Sequence, residues 1–409
     1  MADLQDELNS TAEAGELDRP GADEQPTGAT GVEPALRPDP VPEPDAADAA
    51  GPEPEPVPEP ELESEPGPEP EPGASPQQRA RALLLAHPVA DGYSGLPRRL
   101  RELPYYDLEL GDNGVDTDVP RLRAGGVGAQ FWSVHVPAEL TGDRAVSATL
   151  EQLDLVKHVV AGIPEGLRLA RNASETADAR ACGRIAVLTG PAGAAALGDS
   201  LATLRALHAL GLSSVTLAGT SWAGPDGLSA FGEEVVREMN RLGVLADLSG
   251  ASDATARRVL AVSKAPSLLA RSGARALRDH PDNASDELLA ALGAAKGLCL
   301  VPLAAEQTGT SLAQVADHLD HVRRVAGPES VGLSGVYDTG AAHADELADA
   351  SRFPRLVAEL IERGWPTADL ALLTWGNTQR ALRGADFTGR AARERREAST
   401  ATIDRLDRR

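Results

Sequence analysis

Eight short apolar runs, each separated from the next by a stretch of helical periodicity, constrain this chain more than any other feature. They cover residues 88–92, 127–134, 184–189, 213–218, 243–248, 266–270, 298–303 and 331–335. In "AVSATLEQLDLVKHVVAGI" the spacing puts Leu150, Leu153, Val156, Val159 and Val160 on one helical face. "DSLATLRALHALG" does the same with Leu201, Leu204, Leu207 and Leu210 and closes on Gly211, and "GLSAFGEEVVREMNRLG" closes on Gly243. "SLAQVADHLDHVRRVAG" opens on a Ser311 cap and ends at Gly327. Strands joined through helices pair in parallel, so eight such units predict an α/β fold, a (β/α)8 barrel of TIM type. Helices near 352–363 and 367–373 would complete the outer ring.

The barrel pattern begins only near Arg79. Residues 1–78 hold 21 Asp/Glu against two Arg, which accounts for most of the formal charge of −23. Their "GPEPEPVPEPELESEPGPEPEP" alternates Pro with Glu, which blocks helix ladders, repels itself and buries nothing. A disordered acidic spacer is expected at 1–78, a barrel at 79–388 and a flexible tail at 389–409. A docking arm for a basic partner is the second reading of the acidic segment. Cys182 and Cys299 sit inside apolar stretches and form no CxxC pair or disulfide framework, which suits a reducing compartment. "MADLQDELNS" has no apolar core of a signal peptide, and no apolar run approaches the roughly 20 residues of a membrane helix. The expected location is cytoplasmic, with no membrane partner. Abundant Ala and Gly, with Arg far above Lys, point to a high-GC bacterial source. The 79–388 region is not basic, so no nucleic-acid partner is expected.

Five collinear stretches resemble the membrane (renal) dipeptidase family of zinc metallopeptidases over roughly 84–383. They are "TDVPRLRAGGVGAQFWSVHVP", "SLATLRALHALGLSSVTL", "GLSAFGEEVVREMNRLGVLADLS", "QVADHLDHVRRVAG" and "LLTWGNTQRAL". The resemblance implies the same barrel, two zinc ions at its mouth, and cleavage of dipeptides.

Carried across position by position, the family's zinc ligands fall on Tyr93, Gly95, Ala192, Gly250 and Arg271. Its substrate-binding His and Arg fall on Gly219 and Asp282, and its proton-handling Asp on Val336. Gly and Ala offer no side-chain lone pair, tyrosine is a rare ligand, and a guanidinium repels a cation. Without a metal no bound water is acidified. A survey of the histidines supplies no replacement set. His87 precedes the first strand, His135 ends the second, and His158, His208, His318 and His321 fall in helical patterns. His280 lies in a loop and His343 after the last strand. The pair His318/His321 is read as lying on the outer ring, at the surface. "GPAGAAALGDS" lacks the Lys-Ser/Thr ending of a phosphate loop and is not read as one.

The resemblance therefore predicts a family barrel without its zinc site, with no cofactor. It would be a pseudoenzyme acting by binding, either as a regulatory partner or on an amino-acid- or peptide-like ligand. The alternative is an active metallodipeptidase. A homodimer, or a heterodimer with an active relative, is the expected assembly. The polar groups left at the mouth are Asp91, Tyr93, Ser94, Ser221, Trp222, Asp247, Ser249, Arg271, Ser272, Asp282, Tyr337 and Asp338. The candidate pocket within them is Asp91, Tyr93, Trp222, Arg271, Asp282, Tyr337 and Asp338. Arg271 is expected to pair with Asp282 or another pocket acid. A ligand-binding pocket and metal-free chemistry on Tyr93, Asp91 or Asp338 remain as other readings.

Overall fold

A computed structural model describes residues 73–111 and 114–407. Residues 1–72, where the acidic spacer is expected, lie outside the described residues. Twelve strands follow in chain order: β1 (Val89–Ser94), β2 (Val127–Trp132), β3 (Leu167–Leu169), β4 (Ile185–Thr189), β5 (Ala192–Gly193), β6 (Ser214–Thr216), β7 (Ala223–Gly224), β8 (Gly227–Leu228), β9 (Leu245–Asp247), β10 (Leu268–Leu269), β11 (Leu298–Pro302) and β12 (Val331–Ser334). Strands β7 and β8 form a small hairpin. The other ten make one sheet in the order β3-β4-β2-β1-β12-β11-β10-β9-β6-β5, parallel throughout.

That sheet closes on itself. β5 continues β4 after a two-residue break, and both halves face β6: Thr189 bridges to Leu212, and the Ser213 N–H donates to the Thr189 carbonyl at 2.9 Å. Counting β4 and β5 as one broken strand, eight parallel strands each have two neighbours, the expected barrel. Every one of the eight apolar runs overlaps one of these strands, and β1 extends past its run, to Ser94. The short β3 lies against the first half of β4 and had no signal in the periodicity.

Strands buried on both faces need no polar alternation, which is why they read as continuous Val/Leu/Ile runs. Val187, Val215, Val331 and Leu333 pack outward with helix side chains such as Leu153, Leu204 and Leu319. Their neighbours Ala90, Ala129, Phe131, Leu188, Leu245 and Leu300 form a separate cluster, the filling of the barrel. Leu382 and Ala385, from the long helix Asn377–Arg395, join that filling.

Serines start the outer helices. Ser200, Ser229, Ser252, Ser285 and Ser311 each accept the backbone N–H three residues on, satisfying a donor the helix leaves free. Gly243 ends the helix Ala230–Leu242 at φ +80°, where a Cβ would be disfavoured.

Four expectations need correction. Leu150, in the middle of the helix Asp143–Gly162, and Leu210, at the C-cap of Leu201–Ala209, are exposed. His318 and His321 are buried and serve packing: His318 Nδ1 accepts the Ala274 N–H at 3.0 Å, and His321 Nε2 meets Asp286 Oδ1 at 2.7 Å. Cys182, expected in an apolar stretch, is exposed at a helix end, while Cys299 is buried. The segment 389–409 is not loose where it is described: the last long helix runs to Arg395, and residues to Asp407 fold back along the helix Ala230–Leu242. Among the described residues no helix is long and apolar enough to cross a membrane.

Candidate functional site

Residues just beyond the strand ends converge at the carboxyl-terminal mouth. β1 supplies Tyr93, the extension of β2 supplies His135, and the residues after β10 supply Arg271. The Arg271 guanidinium lies 4.6 Å above the centre of the Tyr93 ring. The Tyr93 and His135 ring centres are 6.2 Å apart. Tyr93 packs on Val336 and Ala304, and Val336 sits at φ +55°, a strained conformation for a β-branched residue. The Val336 N–H is tied to the Tyr93 carbonyl at 3.0 Å, so the loop that bears the strain also fixes the ring.

Arg271 is held by its backbone, not by its head group. Its N–H donates to Ser249 Oγ at 3.0 Å, and Gln307 Nε2 donates to its carbonyl at 3.2 Å. The guanidinium Nε is buried without a hydrogen-bond partner, and among the described residues no carboxylate stands within ion-pair distance of Arg271. The expected pair with Asp282 is therefore absent. Asp282 is exposed and reaches instead toward Gly250, where a Cβ would lie 3.5 Å from its Oδ1. Asp247 is fully committed elsewhere: Oδ1 accepts Ser249 N–H, Ser249 Oγ–H and Ala270 N–H, and Oδ2 accepts Thr216 Oγ–H. Burial works against the charge on Arg271, but Tyr93, Asp247, Asp282 and Glu306 together hold its pKa above the ordinary arginine value.

Sequence reasoning passed over His135. It lies three residues beyond β2, and that position at a strand's carboxyl end was the available signal. Burial and the Arg271 charge push its pKa down to about 4, with Asp247 opposing, so the ring is neutral near pH 7. Ser133 Oγ lies 2.9 Å from Nδ1. With that hydroxyl donating, Nε2 carries the proton and points over Gly193, beside Ala192.

The remaining pocket candidates separate. Asp91 is buried below the mouth, accepting from the Gly335 and Tyr93 N–H groups and from Gln130 Nε2, and burial raises its carboxyl to about 6. Trp222 is a core residue, edge-on to Phe231 and donating to Asp199 at 2.7 Å. Tyr337 is wholly buried, stacked on His343 and donating to the Leu347 carbonyl at 3.0 Å. Asp338 lines a neighbouring cleft of about 540 Å³ with Arg98, Arg99 and Asp116.

Fold and mouth define the chain as a (β/α)8 barrel of the kind that places its chemistry at the carboxyl ends of the strands. Residues 77–396 match the family model described as "Membrane dipeptidase (Peptidase family M19)", and the chain belongs to that family. It is 37% identical to Dipeptidase 3 of Mus musculus over 75% of this chain and 66% of that protein. To Dipeptidase verJ of Clonostachys rogersoniana it is 34% identical, over 70% of this chain and 81% of that one. Its fold is similar to that of a metallo peptidase from Rhodobacter sphaeroides bound to a phosphinate mimic of the dipeptide L-Ala-D-Ala, with a TM-score of 0.68, 23% identity, and coverage of 73% and 99%. An amidohydrolase from Pseudomonas aeruginosa superposes at a TM-score of 0.64, with 22% identity and coverage of 76% and 99%.

Two expectations are overturned here. Relatives at this similarity are named dipeptidases, so action by binding alone gives way to the alternative, dipeptide hydrolysis. Membership in a family of zinc metallopeptidases likewise overturns the expectation that the chain needs no cofactor. The mouth itself does not fit the family's pair of zinc ions. Among the described residues no three His, Cys, Asp or Glu are grouped to hold a metal. A side chain at Gly95 would meet the Asp338 carbonyl at 2.6 Å, and the side chain of His135 lies over Gly193, beside Ala192.

Proposed function

We propose that the chain hydrolyses dipeptides, with the mouth around Tyr93, His135 and Arg271 as the place where they bind. The observation that carries this reading is the identity of 34–37% to proteins named dipeptidases. The mouth supports it in two ways. Gly219 is open, with nothing within 4 Å of a Cβ position, and Gly250 meets only Asp282. Arg271 and His135 add N–H donors on either side of the Tyr93 ring, a cation and a neutral imidazole. In the reaction water adds to the peptide carbonyl carbon, the C–N bond breaks, and the departing nitrogen takes a proton. The chain's own groups bind and orient the substrate for this exchange. The two cysteines, which form no disulfide with each other, favour a reducing compartment, and we infer a cytoplasmic enzyme.

The test is release of free amino acids from a panel of L,L- and L,D-dipeptides by the purified chain, with and without added zinc. Release above the buffer blank is expected in at least one arm. Its absence from both, with protein shown to be folded, would overturn the reading. Dependence on zinc would show a metal held by side chains that rearrange from the positions described.

A further inference from the structure

Asp282 stands on the rim of the mouth with an exposed side chain, and among the described residues its carboxylate has no hydrogen-bond or ion-pair partner. Its backbone, by contrast, is fixed. Ser272 Oγ donates to its carbonyl at 2.9 Å, and its N–H donates to His280 Nδ1 at 3.2 Å. The next residue, Asn283, is buried, and its Oδ1 accepts the Gly273 N–H at 2.9 Å. The loop therefore presents the carboxylate at a set place.

The space in front of it is open. Gly250 lies beside Oδ1 at φ +69°, and a Cβ there would meet Asp282 alone, at 3.5 Å. Burial opposes the Arg271 charge, and Tyr93, Asp247, Asp282 and Glu306 support it, so both rim acids act within electrostatic reach of the mouth. Asp247 offers nothing to a ligand, since four donors already occupy its oxygens. Asp282 and Glu306, both exposed, remain available to a bound molecule.

Charge decides what such a rim selects. The resemblance puts the family's substrate arginine at position 282, so the sign offered to the substrate there is inverted. Among the described residues no three His, Cys, Asp or Glu are grouped for a metal, so the fitting cation is an organic one that brings its own N–H donors. A lysine or arginine side chain carries them at the end of a flexible apolar stem.

We propose that Asp282, supported by Glu306, gives this mouth a preference for dipeptides that carry a lysine or arginine side chain. The inference rests on the hydrolase reading and names its substrate class.

The test compares kcat/KM for Lys-Ala and Ala-Lys with that of the norleucine dipeptides, which keep the stem and lack the charge, in the zinc condition that gives the higher rate. At low salt at least one lysine dipeptide is expected to be favoured about 2- to 5-fold, the worth of an exposed ion pair. The ratio should fall toward one in about 0.5 M NaCl, where exposed charges are screened. In Asp282→Asn it should be close to one at low salt, and in Asp282→Arg the preference should pass to glutamate dipeptides. The lysine–norleucine and salt comparisons use the unaltered protein, so a poorly folded variant does not spoil them. Equal turnover of lysine and norleucine dipeptides, or a ratio that salt or Asp282→Asn leaves unchanged, would overturn the rim and leave the hydrolase standing. Without turnover, calorimetry with ketomethylene (CO–CH2) isosteres of the same dipeptides decides. Tighter binding of a lysine isostere would keep the rim and sink the hydrolase, and equal binding or none would overturn both.

Discussion

Asp338 shows how much a single side chain depends on its setting. It sits at φ +60°, and its Oδ1 accepts the Asp116 N–H at 2.7 Å while Asp116 Oδ2 accepts its own N–H at 3.1 Å. Burial raises its carboxyl to about 7 from a usual 3.8, against the pull of its hydrogen bonds and with the nearby Asp116 charge adding to the rise. The folded protein then binds this proton more tightly than the unfolded chain does, so the contribution is full at low pH and is lost as pH rises from near 4 to about 7. His135 and His318, both lowered to about 4, run the opposite way, so the whole-protein profile mixes the two. Asp338→Asn keeps the acceptor and tolerates the positive φ. Relative to this variant, the native protein should lose stability as pH rises through that window. Urea midpoints of both proteins at pH 4.5, 6 and 8 check it, and a constant difference across the three would refute it.

Among the elements, the helix Ala230–Leu242 has its start built by residues far away in sequence. Ser229 caps it in the usual way, accepting the Gly232 N–H at 3.1 Å. Asp407 adds a second acceptor for the helix: Oδ1 takes the Phe231 N–H at 2.9 Å and Oδ2 the Ser229 hydroxyl at 2.6 Å. A carboxylate there also suits the positive end of the helix dipole. Further along, Arg396 pairs with Glu234, and Glu238, buried, is held by Arg205 and Arg241. Asp407→Ala should cost about 0.5–2 kcal/mol, as the loss of a capping side chain does, without changing dipeptide turnover per folded molecule. Equilibrium unfolding and specific activity together test this. Unchanged stability would mean that the strap adds nothing to the helix it touches.

At the scale of the whole molecule the barrel is a matter of filled volume. Leu300 points between two glycines on neighbouring strands: a Cβ at Gly92 would come within 2.4 Å of its Cδ1, and one at Gly332 within 2.5 Å of its Cδ2. Leucine cannot turn from one methyl clash without meeting the other. Gly332→Ala is therefore expected to destabilise by about 1–3 kcal/mol, the cost of overpacking, and Leu300→Val in the same chain to recover part of that. Urea titrations of the two singles and the double give the coupling; simple additivity would show that the interior has slack. The glycines were visible in the sequence, but their pairing with Leu300 was not, since 92, 300 and 332 meet only when the sheet closes.

The sequence alone determined the fold and its family, because eight apolar runs at helix-length spacing leave few arrangements that bury both faces of every strand. It also determined which side chains stand at the strand ends, Tyr93 and Arg271 among them. Only the tertiary structure decided which of these share a space. Trp222 and Tyr337 turned into the core because their polar tips found Asp199 and the Leu347 carbonyl there. His135, unremarkable in the chain, came to lie beside Tyr93, and Asp247 was consumed by its own strand neighbours, which left Arg271 without a counter-ion. Spacing along a chain fixes what an element is. Which atoms meet across a barrel depends on closure, register and the competition of every buried donor for an acceptor.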